Sequence, residues 1–125
     1  MAAHILLVED DPDIRPVMEY LFNAEGHRVT SVECLTKAFE LLASRHFDLV
    51  VTDAILPDGN GLGVADRAAD LGISALVVTA YRPYLRRPGA RYHFLFKPLR
   101  PAELLKAVRS RLSGESAQII PFPQP

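Results

Sequence analysis

Four short apolar runs in this chain each end in a residue able to do chemistry. Ile5-Leu6-Leu7-Val8 leads into Glu9-Asp10-Asp11, and Leu49-Val50-Val51-Thr52 leads into Asp53. Ala75-Leu76-Val77-Val78 ends in Thr79, and Phe94-Leu95-Phe96 ends in Lys97-Pro98. If the runs are parallel strands, their carboxyl ends share one edge, and the polar groups can meet in one pocket. Three carboxylates brought together repel and raise one another's pKa. A hard divalent cation removes that repulsion. Mg²⁺ takes oxygen ligands, keeps several waters and needs only one or two protein carboxylates. Asp10 and Asp53 are the expected direct ligands, with Glu9 acting through a water. The backbone carbonyl of Ile55 is positioned by chain order to complete the set. A hydroxyl at Thr79 and an ammonium at Lys97 suit the oxygens of a phosphoryl group, with Asp53 as its acceptor. Each residue taken alone has a plainer reading. Strand-end acids cap helices, and Asp11, beside Pro12, fits that best. A strand-end hydroxyl serves a turn, and a lone lysine snorkels to solvent.

The elements that must deliver these groups can be read from periodicity. His4 to Val8 is a buried strand. Asp11-Pro12 opens a helix on which Ile14, Val17, Met18, Leu21 and Phe22 recur at helical spacing, and Gly26 stops it. Arg28 to Glu33 is a less apolar strand, suited to a sheet edge. Leu35, Ala38, Phe39 and Leu42 mark a second helix. Asp48 to Asp53 is a continuous β-branched run, as a central parallel strand should be. Pro57, Gly59 and Gly61 make a turn-rich loop, followed by a helix from Leu62 to about Leu71. Ser74 to Thr79 and Tyr92 to Phe96 are the fourth and fifth strands. Pro101 opens a last helix with Leu104, Leu105, Val108 and Leu112 on one face. Lys97-Pro98 is a candidate cis peptide. The alternation argues for an α/β fold, a parallel sheet with helices on both faces.

One stretch breaks the rhythm. Tyr81 to Arg91 contains Pro83, Pro88 and Gly89, which leave room for at most a short turn at Tyr84 to Arg87. The expected fourth helix is therefore shortened or missing. Residues 1–113 read as one domain, and residues 114–125, with Pro121, Pro123 and Pro125, as a flexible tail.

Bulk properties exclude several classes. With 125 residues the chain suits a single domain. A net charge of −1 offers no basic surface for nucleic acid. No apolar run approaches the roughly 20 residues needed to span a bilayer, and the first strand begins too early for a signal peptide. The single cysteine, Cys34, cannot form an internal disulfide and fits a reducing compartment. A cytoplasmic location is the expectation.

The chain resembles the receiver domain of a two-component response regulator. The matching pieces are ILLVEDD at 5–11, LVVTDAILPDGNGL at 49–62, LVVTAY at 76–81 and FLFKPL at 94–99, across about residues 4–112. Pro57 and Gly61 stand four and eight positions after Asp53, as in that family. The resemblance implies a flavodoxin-like, doubly wound, five-stranded parallel sheet of strand order 2-1-3-4-5. It implies that Asp53 accepts a phosphoryl group from a sensor histidine kinase or a histidine phosphotransfer protein, with Mg²⁺ held by Glu9 and Asp10. Thr79 and Lys97 would bind the phosphoryl oxygens. Phe94, three residues before Lys97, falls where the family places a rotating switch aromatic. The acyl phosphate would add about −1.5 to −2 charge, draw Thr79 toward it and leave space for Phe94 to turn inward.

Only 18 positions separate Thr79 from Lys97, fewer than an ordinary receiver has. Thr79-Ala80-Tyr81 and the Pro-rich link resemble stand-alone receivers with a degenerate fourth helix, which often work with kinases of the stress and light-response type. Ile55 and Tyr81 each lie two positions after a site residue and flank the expected path of an attacking water. Both are bulky and neither is a strong base, which implies slow loss of the phosphoryl group. These 125 residues contain no effector domain, so output is expected through a protein partner. Two readings compete: a receiver-like module that binds partners without phosphorylation, and a receiver excised from a larger regulator. A haloacid-dehalogenase-type phosphohydrolase needs an acid two residues after its nucleophile. Ile55 occupies that place, so the protein is expected to be a phosphoacceptor and not an enzyme.

Overall fold

The computed structural model describes residues 2–80 and 92–113. Strand β1 spans His4–Val8, helix α1 Ile14–Ala24, strand β2 Arg28–Val32, helix α2 Leu35–Ser44 and strand β3 Leu49–Asp53. Two short strands follow, β4 (Ile55–Leu56) and β5 (Gly59–Asn60), then helix α3 (Leu62–Asp70), strand β6 (Ser74–Thr79), strand β7 (His93–Phe96) and helix α4 (Pro101–Leu112). The main sheet has five parallel strands in the order β2-β1-β3-β6-β7. Counting only those strands along the chain, this is the expected order 2-1-3-4-5.

Alternation along each strand divides the core. Leu6, Val8, Val50 and Val77 point to a layer closed by α2 and α3, with Ala38, Leu42, Ala65 and Ala68. Ile5, Leu7, Val51 and Leu76 point to the other layer, closed by α1 and α4 through Met18, Phe22, Leu104 and Val108. β3 is buried along its whole length, so both of its faces need apolar residues. β2 is mostly half-buried, as an edge strand should be.

The helix starts and strand limits deviate by small amounts. α1 begins at Ile14, beyond Pro12. Asp11 still supplies the cap, because its Oδ1 accepts from the N–H groups of Asp13 at 2.8 Å and Ile14 at 3.3 Å. β2 stops at Val32, β3 starts at Leu49, α3 stops at Asp70 and β7 starts at His93, each one residue inside the expected limit. The loop after Asp53 holds an antiparallel ladder, Ile55 with Asn60 and Leu56 with Gly59, that periodicity did not reveal. The Lys97–Pro98 peptide is cis. The segment where a shortened or missing fourth helix was expected, with Tyr81 and the Tyr84–Arg87 turn, and the tail at 114–125 lie outside the described residues.

Candidate phosphoryl and metal site

Parallel pairing aligns the four polar strand ends. Val8 is opposite Thr52, Asp53 opposite Val78, and Thr79 opposite Phe96. Glu9, Asp53, Thr79 and Lys97 therefore follow or end neighbouring strands at one edge of the sheet. One carboxylate oxygen from each of Glu9, Asp10 and Asp53 lies within 4.8 Å of the others. Lys97 Nζ donates to Asp53 Oδ2 at 2.8 Å and to Glu9 Oε1 at 3.1 Å. The ammonium thus points into the site and not to solvent.

The acids differ in surroundings. Glu9 is 1% exposed and Asp53 9%, while Asp10 is exposed. Burial lifts the Glu9 carboxyl above its ordinary range, and the charge of Asp53 adds to the rise. The Asp11 N–H and the Lys97 ammonium oppose it. Burial alone would lower the pKa of Lys97. The hydrogen bond and charge of Asp53, joined by those of Glu9, outweigh burial and hold the ammonium above its ordinary value. Three acids and one ammonium leave an excess of negative charge (formally −3 + 1 = −2). The donor set is all oxygen, which is the chemistry a hard divalent cation takes.

Asp53 is held from both sides. Its Oδ1 accepts the N–H of Ile55 at 3.1 Å, and its Oδ2 accepts from Lys97. Its main chain packs against the returning loop. Gly61 N–H donates to the Ala54 carbonyl at 2.7 Å, and a Cβ on Gly61 would stand 1.8 Å from the Asp53 carbonyl oxygen. No larger residue fits there without moving Asp53. Ile55 is 60% exposed beside this loop.

Thr79 is 1% exposed, and its carbonyl accepts the Lys97 N–H at 2.9 Å. That bond joins the ends of β6 and β7 and sets Lys97 beside Thr79. Phe94 is buried and belongs to the same apolar cluster as Val50, Val77 and Tyr92. Its ring meets Tyr92 edge-on at 5.6 Å and stacks with Phe96 at 6.2 Å. The ring expected to turn inward on phosphorylation is thus already inward here.

Two contacts at this edge escaped the reading of the sequence. Asp58, in the loop after Asp53, accepts the N–H groups of Leu35 at 2.8 Å and Thr36 at 3.2 Å, capping α2 from 22–23 residues away. Cys34, the residue before α2, gives it no side-chain cap. Arg15 Nη1 donates to the Glu9 carbonyl at 3.1 Å. A basic residue in the first helical turn after three acids was the available signal for Arg15. Asp58 gave none, since a loop acid beside Gly59 reads as a turn residue.

The response regulator receiver domain profile matches residues 5–109. A protein of Leptolyngbya boryana known only as an uncharacterized 14.6 kDa protein is 33% identical over 84% of this chain and 86% of its own. The swarming motility regulation protein RssB of Serratia marcescens is 35% identical over 92% of this chain and 57% of its own length. The response regulator SaeR of Staphylococcus epidermidis is 29% identical, over 90% of this chain and 52% of its own. The chain therefore spans about half the length of several curated relatives it matches. Among solved structures, a CheY-like receiver domain protein of Methanospirillum hungatei superposes with a TM-score of 0.81 at 24% identity, over 95% of this chain and all of its own. TrrA of Thermotoga maritima, solved in complex with Mg²⁺-BeF, gives 0.78 at 28% identity, over 87% and 98%.

Proposed function

Because this chain belongs to the response regulator receiver domain family, we propose that Asp53 accepts a phosphoryl group from a phosphohistidine on a kinase or phosphotransfer protein. The observation that carries this reading is the convergence of Glu9, Asp10 and Asp53 around one ammonium. An Asp53 oxygen attacks phosphorus. The phosphorus–nitrogen bond breaks, and its electron pair returns to the donor's ring nitrogen, which takes up a proton. Phosphoryl transfer needs mostly positioning and charge neutralisation. Lys97 holds Asp53 Oδ2 and neutralises charge on the transferred group. Thr79, at the end of the adjoining strand, donates to another of its oxygens. Glu9, Asp10, Asp53 and the Ile55 carbonyl would hold Mg²⁺, which supplies positive charge shared between the carboxylates and the phosphoryl oxygens. The Mg²⁺ complex of TrrA supports that assignment by likeness.

New charge on Asp53 competes for Lys97 and Thr79, and both adjoin β7. Movement there would change the packing of Phe94. Output then passes to a protein partner, and the whole reading places the protein in the cytoplasm. A groove of about 300 Å³ lined by Ile14, Val17, Met18, Leu99 and Leu104 adjoins Lys97, which supports docking of an apolar partner surface beside the acceptor. Among the described residues no helix is long and apolar enough to cross a membrane.

Intact mass after incubation with Mg²⁺ and acetyl phosphate tests the reading. Wild type should gain one phosphoryl group, only with Mg²⁺, and Asp53→Ala none. Ile55→Asn should shorten the life of the adduct by opening the path of water. No adduct in wild type would favour a module that binds partners without phosphorylation.

A further inference from the structure

A cation stands in α1 where local rules disfavour one. Arg15 is the second residue of that helix, and the first turn holds no acid. Unpaired amide groups make a helix N-terminus positive, so a cation there costs stability. Arg15 is nonetheless half-buried and bonded to the Glu9 carbonyl. That carbonyl belongs to the peptide joining Glu9 to Asp10. The next peptide, joining Asp10 to Asp11, is held too, because the Asp11 N–H donates to Glu9 Oε2 at 3.1 Å. Asp10 thus lies between two peptide groups, each tied down by a side chain. Its own carboxylate is exposed, so its direction is set through the main chain and not through packing around it.

We infer that Arg15 is a positioning residue for the Asp10 carboxylate, acting through the Glu9–Asp10 peptide to set the site's affinity for a divalent cation. This rests on reading Glu9, Asp10 and Asp53 as the oxygen ligands. A small hard cation demands near-ideal octahedral geometry. A carboxylate on an unrestrained peptide must be ordered at each binding event, which weakens affinity. The guanidinium keeps its charge and presents five donors in a rigid fork, of which this bond uses one.

The sign of the effect separates positioning from simple charge. Removing a cation near three acids should tighten binding of a second cation through space. Removing a positioning group should weaken it. Isothermal titration of Mg²⁺ into the full chain, freed of metal by a chelator, compares wild type, Arg15→Ala and Arg15→Lys. Arg15→Ala is expected to bind about tenfold more weakly, the scale of other outer-shell losses. Arg15→Lys keeps the charge and one donor and should recover most of the affinity. Unchanged or tighter binding by Arg15→Ala overturns the inference, and so does a wild type that binds no Mg²⁺. Wild type that binds Mg²⁺ yet forms no adduct with acetyl phosphate sinks the phosphoacceptor reading alone. The titration still decides the role of Arg15.

Discussion

The two ends of the sheet carry similar residue types in opposite states. At the amino end, Arg28 Nη2 meets His4 Nδ1 at 3.1 Å and His4 Nε2 meets Thr30 Oγ1 at 2.7 Å. A guanidinium only donates, so His4 Nδ1 accepts and Nε2 carries the ring proton toward Thr30. Asp48 Oδ2 accepts the His4 N–H at 2.8 Å, and Asp48 Oδ1 lies 3.4 Å from His46 Nε2. The contacts there are one exposed pair, His46 with Asp48, and hydrogen bonds that match a donor to an acceptor. At the carboxyl end, three acids face one ammonium, two of them buried. The amino end is finished as it stands, while the carboxyl end is left with charge that a ligand can neutralise. Proteins break local rules of this kind mainly where they function.

The contrast can be broken most sharply at Lys97. Lys97→Ala leaves Glu9, 1% exposed, without its cation. Breaking one side of a buried pair costs on the order of 3 kcal/mol. Asp48→Ala at the amino end removes one exposed hydrogen bond and the His46 contact and should cost about 1 kcal/mol. Urea midpoints at neutral pH measure both. Equal losses would mean that the two ends are energetically alike.

A smaller effect sharpens the contrast through pH. All four histidines, His4, His27, His46 and His93, sit at or just before the amino end of a strand. Burial lowers the pKa of His4, His27 and His93 below the ordinary 6.5, with Arg28 adding to the effect at His4 and Arg111 at His93. The folded state then holds fewer protons than the unfolded chain once the pH falls through 6.5. Stability is present above that pH and drains away below it, down to the folded-state values. Urea midpoints should drop between pH 7.5 and pH 5, and His93→Gln should drop less. A flat profile in wild type would remove the histidines from the account.

The smallest change is expected at Asp10. With no divalent ion present, Asp10→Asn relieves repulsion at an exposed position and should raise stability by about 0.5 kcal/mol. Saturating Mg²⁺ should stabilise wild type by roughly 2.7 kcal/mol at a hundredfold excess over its Kd and the variant far less. A lower metal-free midpoint in Asp10→Asn would show that the acid stabilises its own loop instead.

Much of this is legible in the sequence. β1 and β6 match the reading at both ends, and α4 starts at Pro101 as expected. These elements announce themselves because strands buried on both faces must be continuously apolar, and because proline suits a first helical turn. Asp11 was legible as a cap because its partners lie two and three residues away. The β4–β5 ladder was not, since two-residue strands leave no period to read. The cap that Asp58 gives α2 was hidden for a related reason, whereas the meeting of Lys97 with Glu9, 88 residues away, follows from the strand edge that the two were expected to share. Partners distant in sequence meet only through the fold.

The sequence by itself determined which residues end the central strands, and with them the family and the acid–hydroxyl–ammonium set. That information is local, carried by short apolar runs and the polar residue after each. Tertiary structure alone decided how those groups stand to one another. It bonded Lys97 to both Glu9 and Asp53, buried Glu9 while leaving Asp10 exposed, buried the Phe94 ring between Tyr92 and Phe96, and set Gly61 where only a hydrogen fits beside Asp53. Each of these depends on strand register and on what the neighbouring strand or loop presents, which no single stretch of chain encodes.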